Sequence, residues 1–162
     1  MQTYTGCPVA NPSSCNQLPF RFKQGCRRSG GHTSSVVGTV CTDKGKTEYY
    51  LSVNGKAWSG TSPTNVNIGG VNYKVIVSDS KSVPSAQNSD TQSNFNHAEQ
   101  KLFSHIQDAY KGQKANVNIA VQNTSRNEPG MCTGCGNTSQ TFAEMNKEFN
   151  VNIYQGSTGT NQ

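Results

Sequence analysis

From Phe95 onward the hydropathy period of the chain switches repeatedly. Ala98, Leu102, Ile106 and Ala109 recur at helical spacing, and Val117, Ile119 and Val121 then alternate as in a strand. Phe142, Met145 and Phe149 return to helical spacing before a short apolar run from Val151 to Tyr154. Strands that alternate with helices in this way confine the chain to an α/β layer. The spacing predicts one helix from about residue 95 to 111, stopped by Gly112, and a second from about 132 to 149.

Upstream the pattern is all strand. "VVGTVCT" and "TEYYLSV" flank Asp43-Lys44-Gly45-Lys46, a hairpin turn, and "VNYKVIVSD" adds a strand in which Tyr73, Val75 and Val77 alternate. Residues 1–35 form an irregular Cys/Gly/Pro-rich segment, 36–154 the domain, and 155–162 a tail expected to be flexible. Residues 80–94 read as a polar loop. With 162 residues, one domain is expected. Only 31% of the residues are hydrophobic and 14% charged, so the core is modest, and a bound metal would help to hold it.

No apolar run reaches membrane-spanning length, and the first residues lack the basic-then-apolar pattern of a signal peptide, as in a mature fragment. Of six cysteines, Cys7, Cys15, Cys26 and Cys41 are widely spaced, and Cys132 and Cys135 form a CxxC pair. The early four allow two disulfides in three pairings, or four buried thiols. The net charge of +5, with Arg21, Lys23, Arg27 and Arg28 clustered, has the sign that suits a polyanion. A solvated basic face is the plainer reading of charge alone.

Chemistry concentrates at the two helix starts. His97 lies in the first turn of one expected helix, and Cys132 and Cys135 in the first turn of the other. In α/β sheets ligands collect where helix N-termini meet strand ends. If the helices are neighbours, one imidazole and two thiolates supply three zinc ligands and leave the fourth tetrahedral position open, as catalytic zinc sites do. Zinc brings the pKa of a bound water to roughly 7, and a carboxylate beside it can relay the proton. Glu99, about 200° round the helix from His97, has that task. A lone HxE is weak, since chance pairs of this kind are common, and a lone CxxC is moderate, since it also occurs as a redox pair or as half a structural zinc site. Together, with a strand between and each opening a helix, they are specific.

His97-Ala98-Glu99, followed by Pro129 and Cys132-Thr133-Gly134-Cys135, resembles the zinc-dependent cytidine deaminase superfamily. "HAEQKLF" and "NEPGMCTGC" look most like the deaminase domains of bacterial polymorphic toxins that act on nucleic acid. The resemblance covers roughly residues 48–154. Two details depart from the family pattern. Gly130 and Met131 separate Pro129 from Cys132, and little chain follows Tyr154 where the family places a fifth strand. The strand at Val36 to Thr42 is expected to complete the sheet instead.

The resemblance implies a three-layer deaminase-like fold, with a mixed sheet of about five strands and two zinc-bearing helices on one side. It implies one Zn²⁺ per chain on His97, Cys132 and Cys135, with Glu99 catalytic. The implied reaction is hydrolytic conversion of cytosine to uracil in DNA, single-stranded or duplex, with the base unstacked to enter the pocket. Tyr50, Phe95, Asn96 and Arg126 are the candidate substrate contacts. A monomer delivered as an exported toxin to another cell's cytoplasm, with a cognate immunity protein, completes the expectation. The alternatives are an RNA cytidine or adenosine deaminase, a free-nucleoside deaminase, and a structural zinc module that binds nucleic acid without catalysis.

Overall fold

A computed structural model describes residues 7–8, 34–53, 64–68, 70–76, 98–123 and 133–157. They form a six-stranded mixed sheet and two helices. The strands are β1 (Ser34–Thr42), β2 (Thr47–Val53), β3 (Asn65–Ile68), β4 (Val71–Ile76), β5 (Ala115–Asn123) and β6 (Phe149–Ser157), and the helices are α1 (Ala98–Tyr110) and α2 (Thr133–Met145). The sheet order is β3-β4-β2-β1-β5-β6. β1 is antiparallel to both its neighbours, β2 and β5, whereas β2 pairs parallel with β4, and β5 with β6.

β1 lies in the middle of the sheet and does not extend its edge. "VVGTVCT" carries apolar residues on both faces, with Val36 and Val40 on one side and Val37 and Cys41 on the other, all buried. That two-sided pattern belongs to an interior strand. The sixth strand is β3, Asn-Val-Asn-Ile, which pairs antiparallel with β4. Its two apolar residues are too few for alternation to register. β6 runs to Ser157, paired with Asn123, so the expected tail begins later than residue 155.

Both helices pack on one face of the sheet. Leu102, Phe103, Ile106 and Tyr110 of α1 and Phe142 of α2 share a core with Val36, Val40, Tyr50, Val117, Ile119 and Val121. Gly38 lets α1 approach closely: a Cβ there would meet Leu102 Cδ2 at 3.1 Å. Of the expected helical stripes, Ala109 is exposed and Tyr110 takes its place in the core. Met145 is 50% exposed, and α2 ends there, so Phe149 joins the core from the start of β6. Val37, Leu51, Val66, Ile68, Tyr73 and Ala120 form a second cluster on the opposite face. Among the described residues, only Cys7 and Pro8 lie against that face without belonging to the sheet. Among the described residues no helix packs on that face, so they show one helix layer on a six-stranded sheet.

The two ends of the sheet differ. At one end the connections are short: 43–46, 69–70, 111–114 and 146–148. Gly45 sits at φ 83° in the first of these, a left-handed conformation that glycine adopts without a Cβ penalty. At the other end the chain leaves and re-enters the described structure through 54–64, 77–97 and 124–132, and β1 begins there.

At the short-turn end Glu48 ties β2 to α1. The hydroxyls of Tyr50 and Tyr110 each lie 2.6 Å from Glu48 Oε2 and 2.6 Å from one another. Lys46 Nζ is 3.0 Å from Oε1 and Lys74 Nζ 3.2 Å from Oε2. Burial alone would raise the Glu48 pKa, but hydrogen bonds from Tyr110, Tyr50, Lys46 and Lys74 outweigh it and hold it at about 2, against 4.5 ordinarily. A depressed carboxylate pKa stabilises the fold above the unfolded value, and that stability fades as pH falls from about 4.5 towards 2. With the lysines exposed, the contribution is on the order of 1–2 kcal/mol. Urea midpoints of Glu48→Gln should therefore lie below wild type at pH 6 and converge with it near pH 2. A gap that persists unchanged into acid would show that the carboxylate's charge is not what the cluster uses.

Candidate functional site

The first turn of α1 carries Glu99, and the surroundings of that turn decide what it can do. Ten of the thirteen α1 residues are buried, among them Glu99 at 3% exposure. A surface helix would keep a broad solvated stripe, so Glu99 is not an ordinary solvated helix residue. Acidic charge in a first turn is favoured by the helix dipole. Ser52, fully buried near the end of β2, donates a hydrogen bond of 2.8 Å to the carbonyl of Ala98. That bond pins the residue next to Glu99 to the sheet.

α2 runs parallel to α1. Phe103 stacks on Phe142 with ring centroids 5.1 Å apart, and Asn146 Nδ2 donates to Gln107 Oε1 at 2.7 Å. Both contacts join residues 39 apart in sequence. The constant offset makes the helices run side by side in register. It sets Thr138, itself fully buried, level with Glu99. One turn towards its N-terminus, the backbone of Cys135 lies about 5 Å ahead of Glu99 along the axis, just beyond the first residue of α1. The start of the CxxC helix and the Glu99 turn thus occupy the same end of the sheet. Both helices begin where the parallel strands β2, β4, β5 and β6 end, the edge at which open α/β sheets take ligands.

Of the expected zinc ligands, His97 and Cys132 lie outside the described residues, as does the side chain of Cys135. Phe95, Asn96 and Arg126 lie outside them too. Among the described residues no three His, Cys, Asp or Glu side chains come together as metal ligands.

Tyr50 does not sit with Glu99. It is 1% exposed, its hydroxyl is engaged by Glu48 and Tyr110, and its ring packs edge-on against His105 at 5.1 Å. Those α1 partners lie ~9–16 Å along the helix from Glu99. Burial and the adjacent carboxylate push both tyrosine hydroxyls above the usual phenol range. Neighbours on β2 face opposite sides of the sheet, so one of Tyr49 and Tyr50 joins the helix-side core. It is Tyr50, while Tyr49 meets Tyr73 edge-on at 5.8 Å on the opposite face. His105 is a packing residue, and burial lowers its pKa.

Sequence reasoning passed over Ser52 and Thr138. A polar residue among the apolar helix-facing positions of a strand, as Ser52 stands two places after Tyr50, was the available signal for the first. The chain matches no known protein-family model, no curated protein and no solved structure.

Proposed function

We propose that this chain is a zinc-dependent deaminase of the cytidine deaminase type that converts cytosine to uracil in DNA. The observation that carries the reading is the buried Glu99 in the first turn of α1, with the first turn of α2, which contains Cys135, at the same end of the sheet. His97, Cys132 and Cys135 would hold one Zn²⁺. The backbone placement of Cys135 fits this donor set, and two thiolates with one imidazole suit zinc. Bound zinc supplies Lewis acidity that makes a water reactive near neutral pH. Glu99 takes the proton from the attacking water and returns it to the departing amino group. Water adds at C4, ammonia leaves, and uracil remains.

Charge distribution supports a nucleic-acid substrate. Residues 1–33, 54–63, 77–97 and 124–132 carry seven basic and three acidic residues, while the rest of the chain carries seven and six. Most of the +5 net charge therefore belongs to segments that join the sheet at the helix-start end. Phe95, Asn96 and Arg126, in two of these segments, are the proposed substrate contacts; Tyr50 is not among them. In this reading the protein is an exported toxin domain, acts in a recipient cell's cytoplasm, and has a cognate immunity protein.

The test is incubation of the full chain with single-stranded DNA, duplex DNA, RNA and free cytidine across a salt series, followed by sequencing or product analysis. Cytosine-to-uracil conversion in DNA is expected, with rates falling roughly tenfold or more between about 50 and about 200 mM salt. Turnover of free cytidine alone, indifferent to salt, would replace this reading with nucleoside deamination. Conversion confined to RNA would move the substrate, and no conversion in any arm would leave a structural zinc module.

A further inference from the structure

Cys7 and Pro8 belong to no strand or helix, yet they have a built seat. A disulfide joins Cys7 to Cys41 across 34 residues of sequence, with Cα atoms 5.8 Å apart. Cys41 is near the end of β1, 6% exposed, and points away from the helices. The hydroxyl of Thr39 donates to the Pro8 carbonyl. Asn118 Nδ2 lies 3.3 Å from the Cys7 carbonyl and 3.2 Å from that of Pro8. Asn118 is itself braced from the next strand, because Asn152 Nδ2 donates to its Oδ1 at 3.1 Å. Three strands, β1, β5 and β6, thus hold one dipeptide. All of these side chains are on the face opposite the helix core, and none of Cys7, Thr39, Cys41, Asn118 or Asn152 belongs to that core.

We propose that the Cys7–Cys41 disulfide is a redox-operated clasp. Oxidised, it keeps Cys7 and Pro8 on the outer face of the sheet. Reduced, it lets them leave while the sheet and both helices stay folded. The step balances with a dithiol as reductant: it gives up two electrons and two protons, Cys7 and Cys41 become thiols, and the dithiol closes to a cyclic disulfide. Without the covalent link the dipeptide keeps only the Thr39 and Asn118 hydrogen bonds, and both of its carbonyls can bond to water instead. The Cys41 thiol keeps a partner in place, since the Thr47 hydroxyl lies 3.6 Å from its sulfur. The core on the other face, centred on Leu102, Phe103, Phe142 and Ile119, makes no use of the disulfide. A chain passing from an oxidising exterior to a reducing cytoplasm would go from clasped to open. This proposal stands independently of the deaminase reading.

The test compares the oxidised full chain with the same chain treated with dithiothreitol. Alkylation rates at Cys7 and Cys41 are read peptide by peptide by mass spectrometry, and circular dichroism follows the fold. After reduction, Cys7 should react within about threefold of its rate in urea, Cys41 at least about tenfold more slowly than in urea, and the spectrum should not change. Cys7→Ser, without reductant, should move the Asn118 side-chain amide resonances to their positions in the reduced protein. Protection of Cys7 by about tenfold or more after reduction would mean that the hydrogen bonds alone hold the segment. Loss of the dichroism spectrum on reduction, failure of Cys7→Ser to fold, or Cys41 reacting as fast as in urea would mark the disulfide as a staple of the whole domain. Each of these results would overturn the clasp.

Discussion

Glu99→Ala should abolish deamination while one zinc per chain remains bound. A positioned proton relay contributes roughly 10²–10⁴-fold in rate, so the loss should be at least of that order. The carboxylate is 3% exposed in the first turn of a helix that is covered on most sides, where water cannot readily substitute for it. Glu99→Gln keeps the size and some of the hydrogen bonding but cannot take up the proton, and should be as inactive as the alanine variant. Cys132→Ser gives the contrasting result: zinc by elemental analysis should fall well below one per chain, and stability should fall with it. Near-normal turnover in both Glu99 variants would assign the relay to another acid, and full zinc retention in Cys132→Ser would remove that ligand. The two readouts separate catalysis from metal binding, so one can fail without the other.

Phe142→Ala should cost about 3–5 kcal/mol, a large part of the stability of a domain this size. Phe142 is fully buried, stacked on Phe103 at 5.1 Å and tilted against Phe149 at 5.8 Å. It therefore links α2 to both α1 and β6. Phe142→Leu retains most of the apolar area and should cost clearly less. Urea denaturation in the presence of a chelator measures the packing without any contribution from bound metal. The same substitution should weaken zinc binding in the metal-loaded protein, because the Phe103–Phe142 stack helps fix α2, which carries Cys135 in its first turn, against α1. A cost below about 1 kcal/mol would mean that α2 does not depend on this contact.

Much of the architecture was legible from hydropathy alone. α1, β5 and the β1–β2 hairpin fall where their periods predicted, and α2 does so up to Met145, because each apolar set recurs at its own spacing. The Asp43 to Lys46 turn was legible from its glycine. β3 was not, since four residues with two apolar side chains do not establish a period. Met145 was misplaced because helical spacing locates a stripe without saying where the helix stops. The helix ends at that residue, and the chain turns at 146–148 to bring Phe149 into the same core.

The candidate site divides in the same way. That Glu99 lies at one helix start and Cys135 at another was legible from the order of residues along the chain. Local spacing carries that information, and no fold is needed to read it. Three facts depend on contacts between residues far apart in sequence. The order of the strands places both helices on one face with their N-termini at one end of the sheet. The 39-residue offset of the Phe103–Phe142 and Gln107–Asn146 pairs sets Glu99 level with Thr138 and starts α2 about one turn ahead of α1. Packing around α1 buries Glu99 and directs Tyr50 to Glu48 and Tyr110, away from the Glu99 end. Likewise four scattered cysteines allowed three pairings, and Cys7–Cys41 emerges because β1 and the Asn118 seat bring those two together. Periodicity reports which face of an element is apolar. Which faces meet, and in what register, is set by side-chain shape and hydrogen bonding across the assembled sheet, which exist only once the chain has folded.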